Sequence, residues 1–87
     1  MATANFQQLK IKLDSACVSL RGFTLGHVGF TPKNGRNGIK LVAALCDKLS
    51  RLPNSRWGGP VSTTLVALGR GRIKAAEARL ALLQKMN

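Results

Sequence analysis

The sequence predicts an all-α fold: a small three-helix domain with a Gly-rich connection between its first and second helices. Three observations carry this expectation. Apolar residues recur at i, i+3, i+4 spacing in three separate stretches. Helix breakers crowd into the two intervals between them. The chain has 87 residues, of which 45% are hydrophobic, which suits one modest core over residues 1–87 and is too apolar for a disordered basic arm.

The first helix is expected over residues 5–21. Asn5 and Gln8 have the spacing of a capping box. Phe6, Leu9, Leu13, Ala16, Cys17 and Leu20 form one apolar stripe, edged by Lys10, Asp14 and Arg21. Gly22 follows, where a left-handed residue ends many helices. Ile11 and Val18 share a second side of this helix and read either as scattered surface residues or as a partner-facing strip.

Residues 23–38 hold Gly26, Gly29, Gly35 and Gly38 with Pro32 and Asn34, a density of breakers that argues against a helix. Phe23, Leu25, Val28 and Phe30 should pack this segment down. Two forms fit: an irregular loop pinned by the two Phe, or a short β-hairpin turning at Asn34-Gly35.

The clearest helix is predicted over residues 39–52, capped by Asn37 or Gly38 and ended by Pro53. Its apolar face is Ile39, Val42, Leu45, Cys46, Leu49 and Leu52, and Lys40, Asp47, Lys48 and Arg51 lie opposite. A second hinge spans 52–60. The third helical region, 61–86, aligns Val66, Gly69, Ile73, Ala76, Leu80 and Leu83 on one stripe. That alignment predicts a single helix in which Gly69 lets a neighbour approach closely. A break is the alternative, because Gly69 and Gly71 together cost about 2 kcal/mol relative to Ala.

Charge is the main functional signal. Lys and Arg number 14 against three acids, Asp14, Asp47 and Glu77, for a net charge of +11. Such a surface favours a negative partner: nucleic acid, a ribonucleoprotein or an acidic protein surface. Paired-carboxylate catalysis has almost no residues to work with, the three acids reading as partners of nearby bases. His27 is the only histidine and has no nucleophile or carboxylate near it in sequence. A non-enzymatic chain is therefore expected, with no small-molecule substrate and no cofactor. No metal site is expected either, since Cys17 and Cys46 form no CxxC pair. Both cysteines read as small buried hydrophobes, joined by a disulfide only if their helices meet at that level. The N-terminus has no continuous apolar stretch and no run approaches a membrane span, so a cytoplasmic protein is expected.

Three constellations are candidate contacts for a polyanion. Gly69-Arg70-Gly71-Arg72, followed by Lys74, lets backbone and guanidinium approach phosphates together, and Arg70, Lys74 and Lys85 flank the apolar stripe on one side and Arg72 with Arg79 on the other. Lys33 and Arg36, leading to Lys40, put cations at a Gly-rich helix start. Arg56 adjoins Trp57, which either stacks on a partner or plugs the core. The phosphate-contact set is thus Lys33, Arg36, Lys40, Arg56, Arg70, Arg72 and Lys74. The alternative is a small inhibitor or accessory protein docking on an acidic surface, as phage-encoded factors that block host machinery do, anchored by Trp57, Phe23 and Phe30. A subunit of a ribosome or virion is a third reading.

Residues 41–68 also resemble helix-turn-helix proteins. The resemblance implies that Ser62, Thr63, Thr64 and Arg70 face a DNA major groove. It departs from that pattern in the interval from Pro53 to Pro60, which exceeds the usual turn of about 3–4 residues.

Overall fold

The computed structural model describes residues 2–51 and 59–86, with side chains over 6–51 and 63–86. The described residues form three helices: α1 (Ala2–Thr24), α2 (Pro32–Ser50) and α3 (Gly59–Met86). The described residues hold no strand. The all-α expectation is met, and the hairpin is replaced by helix.

The helices run up, down and up. Leu20 of α1 packs on Gly38 of α2, and Phe23 packs on Gly35, so α2 descends alongside α1. Gly69 of α3 sits against Val42 and Cys46, while Pro32 at the head of α2 shares a groove with Leu83 and Met86 at the tail of α3. Helix α3 therefore runs antiparallel to α2 and parallel to α1. The body measures 48 × 18 × 15 Å, its length set by α3, whose 28 residues span about 42 Å.

One core joins all three. Phe6, Leu13, Ala16, Cys17, Leu20 and Phe23 come from α1, Val42, Leu45, Cys46 and Leu49 from α2, and Leu65, Val66 and Ala76 from α3. Leu9, Ile39, Ile73, Leu80 and Leu83 pack around them. The predicted apolar stripes of all three helices are thus the buried ones; Leu52, assigned to the second, lies outside the described residues.

The boundaries differ from expectation at two glycine-rich places. Gly22 does not end α1. The helix continues to Thr24, and Gly26, at φ +75°, takes the left-handed position. Gly26 N–H donates to the Phe23 carbonyl (3.0 Å) and His27 N–H to the Gly22 carbonyl (3.0 Å), the paired bonds of a Schellman end. Gly22 instead faces the Phe30 ring, which lies 2.9 Å from where its β-carbon would stand. Asn5 is inside α1 and does not begin it.

Helix α2 begins seven residues before the predicted start. Thr31, in extended conformation, is its N-cap, and Pro32 occupies the first turn, where its missing N–H costs nothing. Thr31 Oγ1 accepts from the Asn34 amide (3.3 Å), and Asn34 Oδ1 accepts from the Thr31 amide (2.8 Å). This reciprocal box converts Asn34-Gly35 from a turn signal into helix. Gly35 and Gly38 are absorbed because each lets an α1 side chain approach the α2 backbone: the Phe23 ring at Gly35, Leu20 Cδ1 at Gly38.

Helix α3 is continuous through Gly69 and Gly71. A β-carbon on Gly69 would meet Cys46 Sγ, so the glycine buys closeness between helices and not a hinge. The second hinge, apart from Gly59 and Pro60 in the first turn of α3, lies outside the described residues.

Candidate polyanion-binding surface

The cations stand outside the core. Among the described residues every Lys and Arg is at least partly exposed, and Arg51 alone is in an ion pair, with Asp47 across one helical turn (3.2 Å). Asp14 and Glu77 were expected to pair with bases. Both are exposed and make no ion pair among the described residues.

Helical geometry sorts these charges. Lys33, Arg36 and Lys40 stand at i, i+3 and i+7 on α2, so they share one exposed stripe, directly opposite the buried face of Gly35, Val42 and Leu45. The sequence placed Lys33 and Arg36 in a loop; they ride on the first two turns of a helix. That fixes their spacing and aligns them with Lys40.

On α3, the predicted Arg70, Arg72 and Lys74 do not form one group. Arg70 acts electrostatically on Cys46 of α2, whereas Arg72 acts on Cys17 of α1. Arg70 and Lys74, one turn apart, therefore flank α3 on the α2 side. Arg72 flanks it on the α1 side, as does Arg79, whose guanidinium lies over Gly26 beyond the end of α1. The antiparallel register, with Val42 against Gly69 and Pro32 near Leu83, places Lys40 and Arg36 within about a turn of Arg70 and Lys74. The outward stripe of α2 (Lys33, Arg36 and Lys40) and the α2-side flank of α3 (Arg70 and Lys74, with Glu77 as the acid there) thus stand on either side of the α2–α3 seam at matching levels.

The α1–α3 seam is a second basic strip that sequence reasoning did not include in the site. By helical period Lys10, Asp14 and Arg21 share the side of α1 next to Cys17, on which Arg72 of α3 acts, and Arg79 lies over Gly26 beyond the end of that helix. The signal was present in the helical period of each element, and only the relative placement of α1 and α3 joins the two halves. Arg56 and Trp57 lie outside the described residues.

The remaining seam, between α1 and α2, is different. A shallow groove of about 280 Å³ there is lined by Ser19, Leu20, Phe30, Asn34, Gly38 and Leu41. Apart from that groove, on the outward side of α1, Ile11 and Val18 are 65% and 71% exposed, and Leu25, continuing the helical path by its bond to the Arg21 carbonyl, adds a third apolar residue at seven-residue spacing.

Phe23 and Phe30 part company. Phe23 is 2% exposed and belongs to the core, because Gly35 leaves space for its ring; it is not an accessible anchor. Phe30 keeps 39% of its surface exposed and meets His27 edge-on at 6.5 Å.

Cys17 and Cys46 are buried free thiols. Burial pushes both thiols above their usual range. The neighbouring Cys46 raises Cys17 further, while Arg72 pulls Cys17 down and Arg70 pulls Cys46 down. The described residues contain no cluster of three or more His, Cys, Asp or Glu that could hold a metal, and no helix long and apolar enough to cross a membrane.

No protein-family model matches the chain, and no curated protein or solved structure matches it either.

Proposed function

We propose that this chain is a non-enzymatic protein that binds nucleic acid, or a complex containing it, mainly through phosphate contacts. The observation that carries the reading is the near absence of internal pairing: of the described cations only Arg51 has an acidic partner, so the rest keep their charge for something outside the molecule. The surface on either side of the α2–α3 seam is the face assigned to the contact, because Lys33, Arg36 and Lys40 of α2 and Arg70 and Lys74 of α3 stand exposed there at matching levels on rigid helices. Lysine and arginine on an outward face contact phosphate oxygens and read little sequence. Arg72 belongs to the second strip, on the α1 side, and extends the basic surface around α3.

The test is affinity for a mixed-sequence RNA and a mixed-sequence DNA duplex as salt is raised. Affinity should fall steeply and linearly on logarithmic axes as counterions are released. Binding that is the same at low and high salt would remove the reading.

A second reading has one observation behind it. The exposed row Ile11, Val18 and Leu25, with Phe30 and Leu41 at the neighbouring seam, supports docking on an acidic protein surface, as an inhibitor or accessory factor would. Recovery of one partner protein from nuclease-treated lysate, lost on Ile11→Asp with Val18→Asp, would favour it over the first.

A further inference from the structure

A groove of about 350 Å³ opens where the tail of α3 passes the connection between α1 and α2. Phe23, Gly26, Phe30, Pro32, Arg79, Leu83 and Met86 line it. Its size is at the low end of the roughly 300–1,000 Å³ typical of small-molecule sites. Its composition also fits one: an apolar wall with a single charged group. None of the three acids of the chain is among the lining residues.

Arg79 is the unusual member. Its Nε is buried from solvent and has no hydrogen-bond partner, the one such buried side-chain nitrogen or oxygen among the described residues. Buried polar groups are nearly always satisfied, so Arg79, a lining residue of the groove whose Nε–H has no partner, is still short of an acceptor. The guanidinium lies over Gly26, with Nη2 2.9 Å from where a β-carbon would stand. Only glycine leaves that room, and Gly26 is also the residue whose φ of +75° ends α1. The helix end and the seating of Arg79 thus depend on the same residue.

We propose that this groove binds a phosphomonoester carried on a small aromatic group. A small turn of the Arg79 side chain toward the groove brings Nε–H and an Nη–H side by side against two phosphate oxygens, the forked geometry guanidinium groups make with pairs of oxyanion acceptors. The aromatic group lies along Phe30, Leu83 and Met86. A dianionic phosphate gains more than a carboxylate from a chain of charge +11. The site is separate from the α2–α3 seam, and its occupancy does not depend on whether that seam binds a polynucleotide.

The experiment follows the Arg79 Nε–Hε resonance of ¹⁵N-labelled protein at constant ionic strength, titrated in turn with phenyl phosphate, inorganic phosphate and benzoate. The proposal expects this signal to move and saturate with phenyl phosphate, at least tenfold more tightly than with either other probe. Arg79→Lys, which keeps the charge and the stem but not the fork, should weaken binding at least tenfold while the backbone amide spectrum stays folded. Arg79→Gln should abolish it. Benzoate binding as tightly as phenyl phosphate, equal movement of all arginine Nε–Hε signals, or undiminished binding by folded Arg79→Lys would overturn the assignment.

Discussion

The ring of Phe23 fills the space that a β-carbon would occupy at Gly35. The two residues close the upper end of the α1–α2 interface, and the ring is 2% exposed as a result. Adding a methyl at Gly35 must move the ring or part the helices. Gly35→Ala is expected to destabilise the protein by about 2 kcal/mol, within the range for overpacking, despite the better helix propensity of Ala. Gly71 is the control. It is exposed in mid-helix with nothing near its missing β-carbon, so Gly71→Ala should stabilise by about 0.5–1 kcal/mol. Urea unfolding of the two variants measures both signs.

Gly69 and Cys46 form a second such pair, between α2 and α3. Gly69→Ala should be strongly destabilising, because Val42 Cγ1, 3.2 Å from the new atom, blocks escape on one side while Cys46 Sγ blocks it directly. Cys46→Ala removes the sulfur. In the double variant part of the loss should return, a coupling of about 1 kcal/mol in a double-mutant cycle. Strict additivity would mean that the helices separate and the sulfur is irrelevant.

The capping box at Thr31 is what makes the first two turns of α2 helical. Thr31→Ala is expected to cost about 1 kcal/mol, and to lower amide-exchange protection from Lys33 to Gly38 more than that of residues 42–49. If α2 frays there, the Lys33–Arg36–Lys40 stripe loses its register, so polyanion affinity should fall although no charge has been removed.

The two thiols predict an alkaline limit. Both have folded-state values raised above the ordinary 9.0, chiefly by burial. A raised value means that the folded chain holds its protons where the unfolded chain has begun to release them. The stabilising contribution is whole below about pH 9 and is lost as pH climbs through the folded-state values. Thermal midpoints taken from about pH 8 to about pH 11 should fall less for the Cys17→Ala, Cys46→Ala double variant than for the wild type. A disulfide-exchange reagent should likewise label the native thiols slowly and the urea-unfolded ones at once.

For the proposed polyanion contact, Lys→Gln at Lys40 and Lys74 should each lower affinity about equally for unrelated sequences and reduce the salt slope by about 1. Lys48→Gln, off the seam, should do less. The comparison uses filter binding with the same RNA and DNA across a salt series.

Much of the fold was legible because burial follows helical period. Leu13, Leu20, Val42, Leu49 and Ala76 fell on predicted stripes and are all at 1% exposure or less. What misled was glycine, which signals several different things. Gly22, Gly35 and Gly38 read as breaks when considered along the chain, yet each faces a side chain from another helix or from the connection. That reason exists only in three dimensions. The Thr31-Pro32 start was visible in the sequence, but the surrounding glycines masked it. The charged site was legible residue by residue on each helix. The pairing of α2 with one flank of α3, and of α1 with the other, depends on the handedness of the bundle, which no helical wheel contains.

A shell of like charges with one ion pair among the described residues, Asp47 to Arg51, also strains the molecule that carries it. Mutual repulsion favours expansion of the free chain, and dissolved ions relieve it. Ionic strength therefore pulls in two directions here: it tightens the solitary protein while loosening its grip on any anion. Were the proposed anionic partner bound, it would neutralise that shell directly and relieve the repulsion without added salt.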